Sequence, residues 1–254
     1  MIHATLLLLS LSSAPVPAAT TATPALDPAT TFVQANEAYS AGDYDKALTL
    51  YLKLIDAGVR NGHLWYNLAN THLRRGELGP AIAAYLRSRS LIPRHQDVHA
   101  NLAFARKSTK DAIAPPDPGA ALSTVFFWYY ALNARETATL FVICNAVFWF
   151  LLIVRIYRRQ TEILRWIAIS TLLFALIFGV SLALKVATPR RVAVVIPSEI
   201  AVYSGTSQDT VVRFKLHAGT EVRWLERRDR WFRLALPDGN QGWVLEDQVT
   251  TLTL

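Results

Sequence analysis

Two long apolar stretches most constrain what this chain can fold into. Residues 137–154 read TATLFVICNAVFWFLLIV, with no charge. Residues 166–186 read WIAISTLLFALIFGVSLALKV, with Lys185 as the one charge near the far end. As a helix rising 1.5 Å per residue, each is long enough to cross a hydrocarbon core of about 30 Å. A buried helix in a soluble protein rarely runs this far without a charge. Both are therefore expected to span a membrane, with Lys185 snorkelling to the surface. The 52% hydrophobic content agrees, and the net charge of +7 then reads as arginines flanking spans rather than as a nucleic-acid surface.

Ala175, Gly179 and Ala183 recur every four residues along the second span. Such a small-residue row admits a close helix neighbour, and Asn145 in the first span is positioned to donate a hydrogen bond to it; incidental composition is the alternative. Cys144, the only cysteine, also lies in the first span, which excludes a disulfide framework, a zinc cluster or a redox pair within one chain. The intervening loop, residues 155–165, carries Arg155, Arg158, Arg159 and Arg165 and is expected in the cytoplasm. Arg135, Lys185, Arg190 and Arg191 flank the opposite ends, so charge only leans one way. The N-terminus breaks the tie. Residues 6–11 form a short apolar core, and small residues follow up to Ala18 and Ala19, so residues 1–19 are expected to be a cleaved export signal. An uncleaved anchor is the alternative, although the run is short for a span. Residues 20–30 form a Thr/Pro/Ala linker. Export of the N-terminal part, followed by two spans, places both termini outside the cytoplasm.

Residues 31–110 show a second periodicity. Ala35, Gly42, Ala47 and Tyr51 return thirty-four residues later as Ala69, Gly76, Ala81 and Tyr85, with Tyr44 matched by Leu78. That period is the tetratricopeptide repeat's. Trp65, Leu68 and Pro93 also fall at pattern positions, and Leu102 and Ala103 begin a third copy that stops after one helix. The small residues let helices approach closely, Gly42 and Gly76 permit the turns, and Pro93 ends a helix. Two repeats and a capping helix are few for a self-sufficient stack, so the module is expected to lean on a partner, another copy or the membrane. The first helices line a groove into which Phe32, Asn36, Tyr39, Tyr66, Asn70, Arg74 and Asn101 are expected to point. Asn clamps an extended backbone, and Tyr and Arg are common anchors. Contact with solvent or linker alone is the other reading of these residues. His63, His72, His95 and His99 complete no ligand set, so no metal or cofactor is expected. Basic and acidic residues alternate here, which argues against nucleic acid.

Residues 111–120 are a proline-rich linker. Residues 121–135 follow with Phe126, Phe127, Trp128, Tyr129 and Tyr130, an aromatic block suited to the headgroup level, so a short interfacial helix is expected; a loop or core packing is the alternative. Residues 191–254 change to short β-branched and aromatic runs separated by turns, which predicts about five strands in a small β-barrel. Gly219 and Val222, the run Trp231, Phe232, Arg233 and Leu234, and the closing Gly239, Gly242, Trp243 and Val244 resemble the bacterial SH3 pattern. That resemblance implies a ligand surface at Tyr203, Trp224, Trp231 and Trp243, taking cell-wall or short peptides; a structural or protein-docking barrel is the alternative.

The fold class expected is thus a multidomain membrane protein: a helical tetratricopeptide solenoid, a transmembrane hairpin and an all-β SH3-like barrel. The order of modules, with WYNLAN, RRGELGPAIAAYLRSRSLIPR and DVHANLAFAR, resembles the BatE-like family of the bacterial aerotolerance (Bat) operon. The resemblance implies an inner-membrane scaffold. Its implied partners are von Willebrand factor A-domain membrane proteins and a MoxR-type ATPase, with peptidoglycan as the alternative ligand. No G-x-S-x-G elbow or Glu/His metal motif is present, so no enzyme is expected.

Overall fold

The computed structural model describes residues 27–111, 113, 120–157 and 162–254. The expected export signal, most of the first linker and the centre of the arginine-rich loop lie outside them.

Five helices open the described chain: α1 (Pro28–Ser40), α2 (Tyr44–Asp56), α3 (Gly62–Arg74), α4 (Leu78–Leu91) and α5 (Gln96–Lys107). Their ends are set by local chemistry. Asp27 accepts from the Ala29 and Thr30 amides with Pro28 at the first helical position, Asp43 caps α2, and Asn61 caps α3. α1 therefore begins three residues before the boundary expected at residue 31. Gly42 and Gly76 sit at φ +80° and +78° in the inter-helix turns, as their spacing predicts. Ala35, Ala47, Ala69 and Ala81 are fully buried at the helix crossings, with Tyr51 and Tyr85 filling the space between them. Trp65 is only half-buried, and the Arg87 guanidinium lies 4.7 Å above its ring.

The aromatic segment forms two short helices, α6 (Ala120–Val125) and α7 (Phe127–Ala131), rather than one. Leu132 breaks out to extended geometry. Asn133 then starts α8 (Ala134–Tyr157) with a reciprocal cap: its Oδ1 accepts from the Glu136 amide at 2.8 Å, and its own amide donates to Glu136 Oε2 at 2.9 Å. α8 pairs with α9 (Glu162–Ala187) as a hairpin. Both are long and apolar enough to cross a membrane. Only 6% and 17% of their most apolar windows are buried, unlike the core helices of a soluble protein.

The remainder is one seven-stranded antiparallel sheet: β1 (Arg191–Val195), β2 (Glu199–Tyr203), β3 (Val212–His217), β4 (Glu221–Arg228), β5 (Trp231–Ala235), β6 (Gln241–Leu245) and β7 (Val249–Thr253). The order is β3-β2-β6-β5-β4-β1-β7. Among the described residues no ladder joins β3 to β7, so the sheet is open where a closed barrel was expected. It also has more strands than the five expected: the threonine-rich β7 carries little apolar signal but pairs with β1 along its whole length.

The sheet and the repeats share a core. Alternation along β1 buries both faces: Ala193 and Val195 join the sheet's own core, whereas Val194, with Leu252 of β7, joins the helical core. α4 lies against β1 and β7. Gly79 makes this approach possible, since a Cβ there would run into the Val195 carbonyl and lie 2.9 Å from Ile196 Cα. Arg106 of α5 forks onto Glu221 of β4 at 2.6 and 2.8 Å. Asp111 accepts from the His217 amide and Nδ1 at 2.7 Å each, and from the Thr220 hydroxyl at 2.5 Å. The start of the proline-rich segment is thus bound to the β3–β4 turn, and Ile113 packs on the sheet core. The repeats also seat on the hairpin, where Arg94 pairs with Glu136 and Asn133 Nδ2 donates to the Leu91 carbonyl at 2.9 Å.

Candidate partner-binding groove

The groove is built from two identical polar rungs one repeat apart. In the first, Asn36 Oδ1 accepts from the Tyr51 hydroxyl at 2.7 Å and from Asn67 Nδ2 at 2.8 Å. In the second, Asn70 Oδ1 accepts from the Tyr85 hydroxyl at 2.5 Å and from Asn101 Nδ2 at 3.0 Å. Every member has its counterpart thirty-four positions on. The buried tyrosine of each repeat needs an acceptor for its hydroxyl, and the asparagine of the first helix supplies it. Burial pushes the Tyr51 hydroxyl up to about 12, so it stays protonated and donating.

The rungs change what the asparagines offer a ligand. Their carboxamide oxygens at positions 36 and 70 are engaged within the protein. Among the described residues no acceptor takes Nδ2 of either, so both present donors. Asn101 is the reverse: its Nδ2 reaches Tyr66 at 3.1 Å as well as Asn70, which leaves its oxygen as an acceptor. Two donors and an acceptor are the kinds of group that pair with the carbonyl and amide groups of a peptide backbone.

Around the rungs stand the aromatics. Phe32 and Tyr66 hold equivalent places, each ring 6.2 Å from the buried tyrosine of its own repeat. Tyr39 packs edge-on against Tyr44 at 5.4 Å, and its proximity to exposed Arg74 raises the Arg74 pKa further above its ordinary value. Of the seven expected residues, Phe32, Asn36 and Tyr39 lie on α1, Tyr66, Asn70 and Arg74 on α3, and Asn101 on α5. The structure adds His63 and His95, whose rings lie 5.3 Å apart, with His95 5.5 Å from Tyr66. His63 precedes Tyr66 by three residues on the same helix face, a spacing that marks it as part of this wall. No group of three metal-ligating side chains occurs among the described residues.

The sheet carries a second aromatic surface. Tyr203 lies opposite Trp243 across the β2–β6 ladder and edge-on to Trp231 at 5.7 Å, while Arg228 covers Trp243 at 5.3 Å. Trp243 is only 8% exposed, so its ring supports this face more than it lines it. Trp224 does not join them. It packs on Phe232 at 5.7 Å and donates to the Leu252 carbonyl at 3.4 Å, because its register opposite Leu234 turns it to the core side.

In the hairpin, Ala175 is buried, and a Cβ at Gly179 would lie 3.1 Å from the Phe141 ring. Ala183 is exposed. α7 packs on this end of α9 through Trp128, whose Nε1 donates to Ser181 at 3.3 Å, and so moves the contact to another face. Asn145 is half-buried, and no hydrogen bond reaches its side chain from the described residues.

A search of curated proteins finds no match to the chain. The tetratricopeptide repeat family profile matches residues 32–94, which hold α1 from Phe32 onward, α2 to α4, and both rungs except Asn101. The chain therefore contains a tetratricopeptide repeat module, a protein-interaction motif without catalytic chemistry, joined to two apolar helices and an antiparallel sheet.

Proposed function

We propose that this protein is a non-enzymatic membrane scaffold that holds an extended segment of a partner protein in the groove of its repeats. The observation that carries this reading is the pair of rungs, which leaves donors at Asn36 and Asn70 and an acceptor at Asn101 between Phe32, Tyr39, Tyr66 and Arg74. α8 and α9 hold the scaffold in an inner membrane, with both soluble modules outside the cytoplasm. The order of modules supports partners of the BatE-like setting, von Willebrand factor A-domain membrane proteins acting with a MoxR-type ATPase in stress or oxygen tolerance.

A photo-crosslinking residue at Tyr66 tests the groove, with one at exposed Leu52 on α2 as the comparison. The expected result is a discrete adduct from position 66, absent from position 52, that disappears when Arg74→Ala is added. Equal crosslinking from both positions would defeat the reading.

The cluster of Tyr203, Trp231 and Arg228 favours a second role, cell-wall binding by an SH3-like surface. Full-length protein in detergent should then sediment with purified peptidoglycan, and Trp231→Ala should stay in solution. Wild-type protein left in the supernatant would remove this role and leave the sheet as a docking unit.

A further inference from the structure

An apolar groove of about 460 Å³ lies between the aromatic helices and α9. Phe126, Trp128, Tyr130, Ile177, Val180 and Leu184 line it. Its wall on α9 runs from Leu176 to Leu184 and ends beneath Lys185. At 1.5 Å per residue that length is about 12 Å, close to half of a hydrocarbon core of about 30 Å, or one leaflet. Lys185 closes the upper end. Its Nζ donates to the carbonyls of Tyr129 and Leu132 at 2.6 and 2.8 Å and lies 4.5 Å from the centre of the Tyr129 ring.

Above that end, positive charge is in surplus. Arg190 lies within electrostatic range of both Lys185 and Arg89. Arg94 and Arg106 complete the group. These five cations share two acidic side chains, Glu136 and Glu221, each already bonded to an arginine. Among the described residues neither Arg89 nor Arg190 has a carboxylate within ion-pair reach. Arg190 is exposed and only three residues beyond the end of α9, and its backbone is tied to Leu254 at 3.0 Å in both directions. With α9 as a span, that position falls at the depth of the lipid headgroups. Burial, with repulsion from Arg106 and Arg190, outweighs the attraction of Glu221 and brings the Arg89 guanidinium down to about 10.

We propose that this groove and its cationic mouth bind one anionic phospholipid, an acyl chain lying along α9 and the headgroup phosphate against Arg190 and Arg89. The proposal rests on the membrane reading of α8 and α9. A zwitterionic lipid brings a cation of its own to a site already positive, so headgroup charge decides the choice. The bound lipid would join the repeats, the hairpin and the sheet, since Arg89, Lys185 and Arg190 come from one each of these parts or from the joint between them.

Full-length protein in a neutral detergent is titrated with phosphatidylglycerol or with phosphatidylcholine of equal chain length, and native mass spectrometry reads retained lipid. The expected result is one phosphatidylglycerol retained about tenfold better than phosphatidylcholine. Arg190→Gln should erase that preference, and Leu184→Trp, which fills the groove, should lower retention of both lipids. Equal retention by the wild type, or unchanged preference in Arg190→Gln, overturns the site. So does displacement of the lipid by soluble glycerol phosphate, which would mark an anion site with no role for the chain. Carbonate washing of membranes checks the underlying reading separately. Wild-type protein released by carbonate overturns both, whereas protein kept in the pellet without lipid preference overturns only the lipid site.

Discussion

At the scale of single residues, the asparagines have two duties that the sequence shows as one. Asn36, Asn70 and Asn101 are legible as groove residues from their place in the period. Their use as acceptors or donors for Tyr51, Tyr85 and Tyr66 is not, because hydrogen-bond direction depends on which tyrosine the fold buries beside them. The rung makes a specific demand. Asn70→Ala strands the hydroxyl of fully buried Tyr85, and an unsatisfied buried polar group costs about 1–3 kcal/mol. Tyr85→Phe removes the hydroxyl that needs the acceptor. The double variant should therefore be more stable than Asn70→Ala alone, as read by urea unfolding of the full chain in detergent. Additive losses in the two single variants would show that no rung forms.

At the scale of elements, the helices and spans were readable because each carries its own periodicity. The seat between α4 and the sheet was not. Gly79 reads as a weak point in a helix until the Val195 carbonyl is seen beside it, and Asp111 reads as the first residue of a linker. The cap of α8 was legible in principle, since Asn133 and Glu136 have reciprocal capping spacing, but it stood hidden behind the aromatic block. The Asp111 joint has a pH signature. Burial alone would raise this carboxyl, but the bonds from Thr220 and from the His217 amide and ring outweigh it and hold the pKa below its ordinary 3.8. A carboxyl depressed on folding adds stability that is present in full above its unfolded value. That stability is lost as pH falls through the lower folded value. Asp111→Asn should weaken the protein at neutral pH and flatten the fall in stability below about pH 4. Thermal melting of both proteins between pH 2 and 7 checks this, and parallel curves would mean the joint is open in solution.

At the scale of the whole molecule, the contacts between modules decide topology more firmly than charge does. The sequence places the repeats and the sheet on one side of the membrane by counting spans, and its arginines are divided between both ends of the hairpin. In the folded chain Arg106 grips Glu221, Asp111 grips the β3–β4 turn, and Arg94 and Asn133 seat the repeats at the start of α8. β1 begins four residues after α9 ends, beside that same corner. If α8 and α9 cross a bilayer, these contacts keep both modules on the face where α8 begins and α9 ends. The proposal that residues 1–19 are an export signal would make that face the outer one. An alkaline phosphatase, active only outside the cytoplasm, should work when fused after Leu254 and fail when inserted at residues 158–161. A green fluorescent protein fused at the same two places should give the reverse pattern. Opposite activities at the two sites test the hairpin, and their sign tests its direction. Phosphatase activity only at the loop would keep the hairpin and the lipid groove but move both modules into the cytoplasm. The groove's partner would then have to be sought there, and the cell wall would be out of reach of Tyr203 and Trp231.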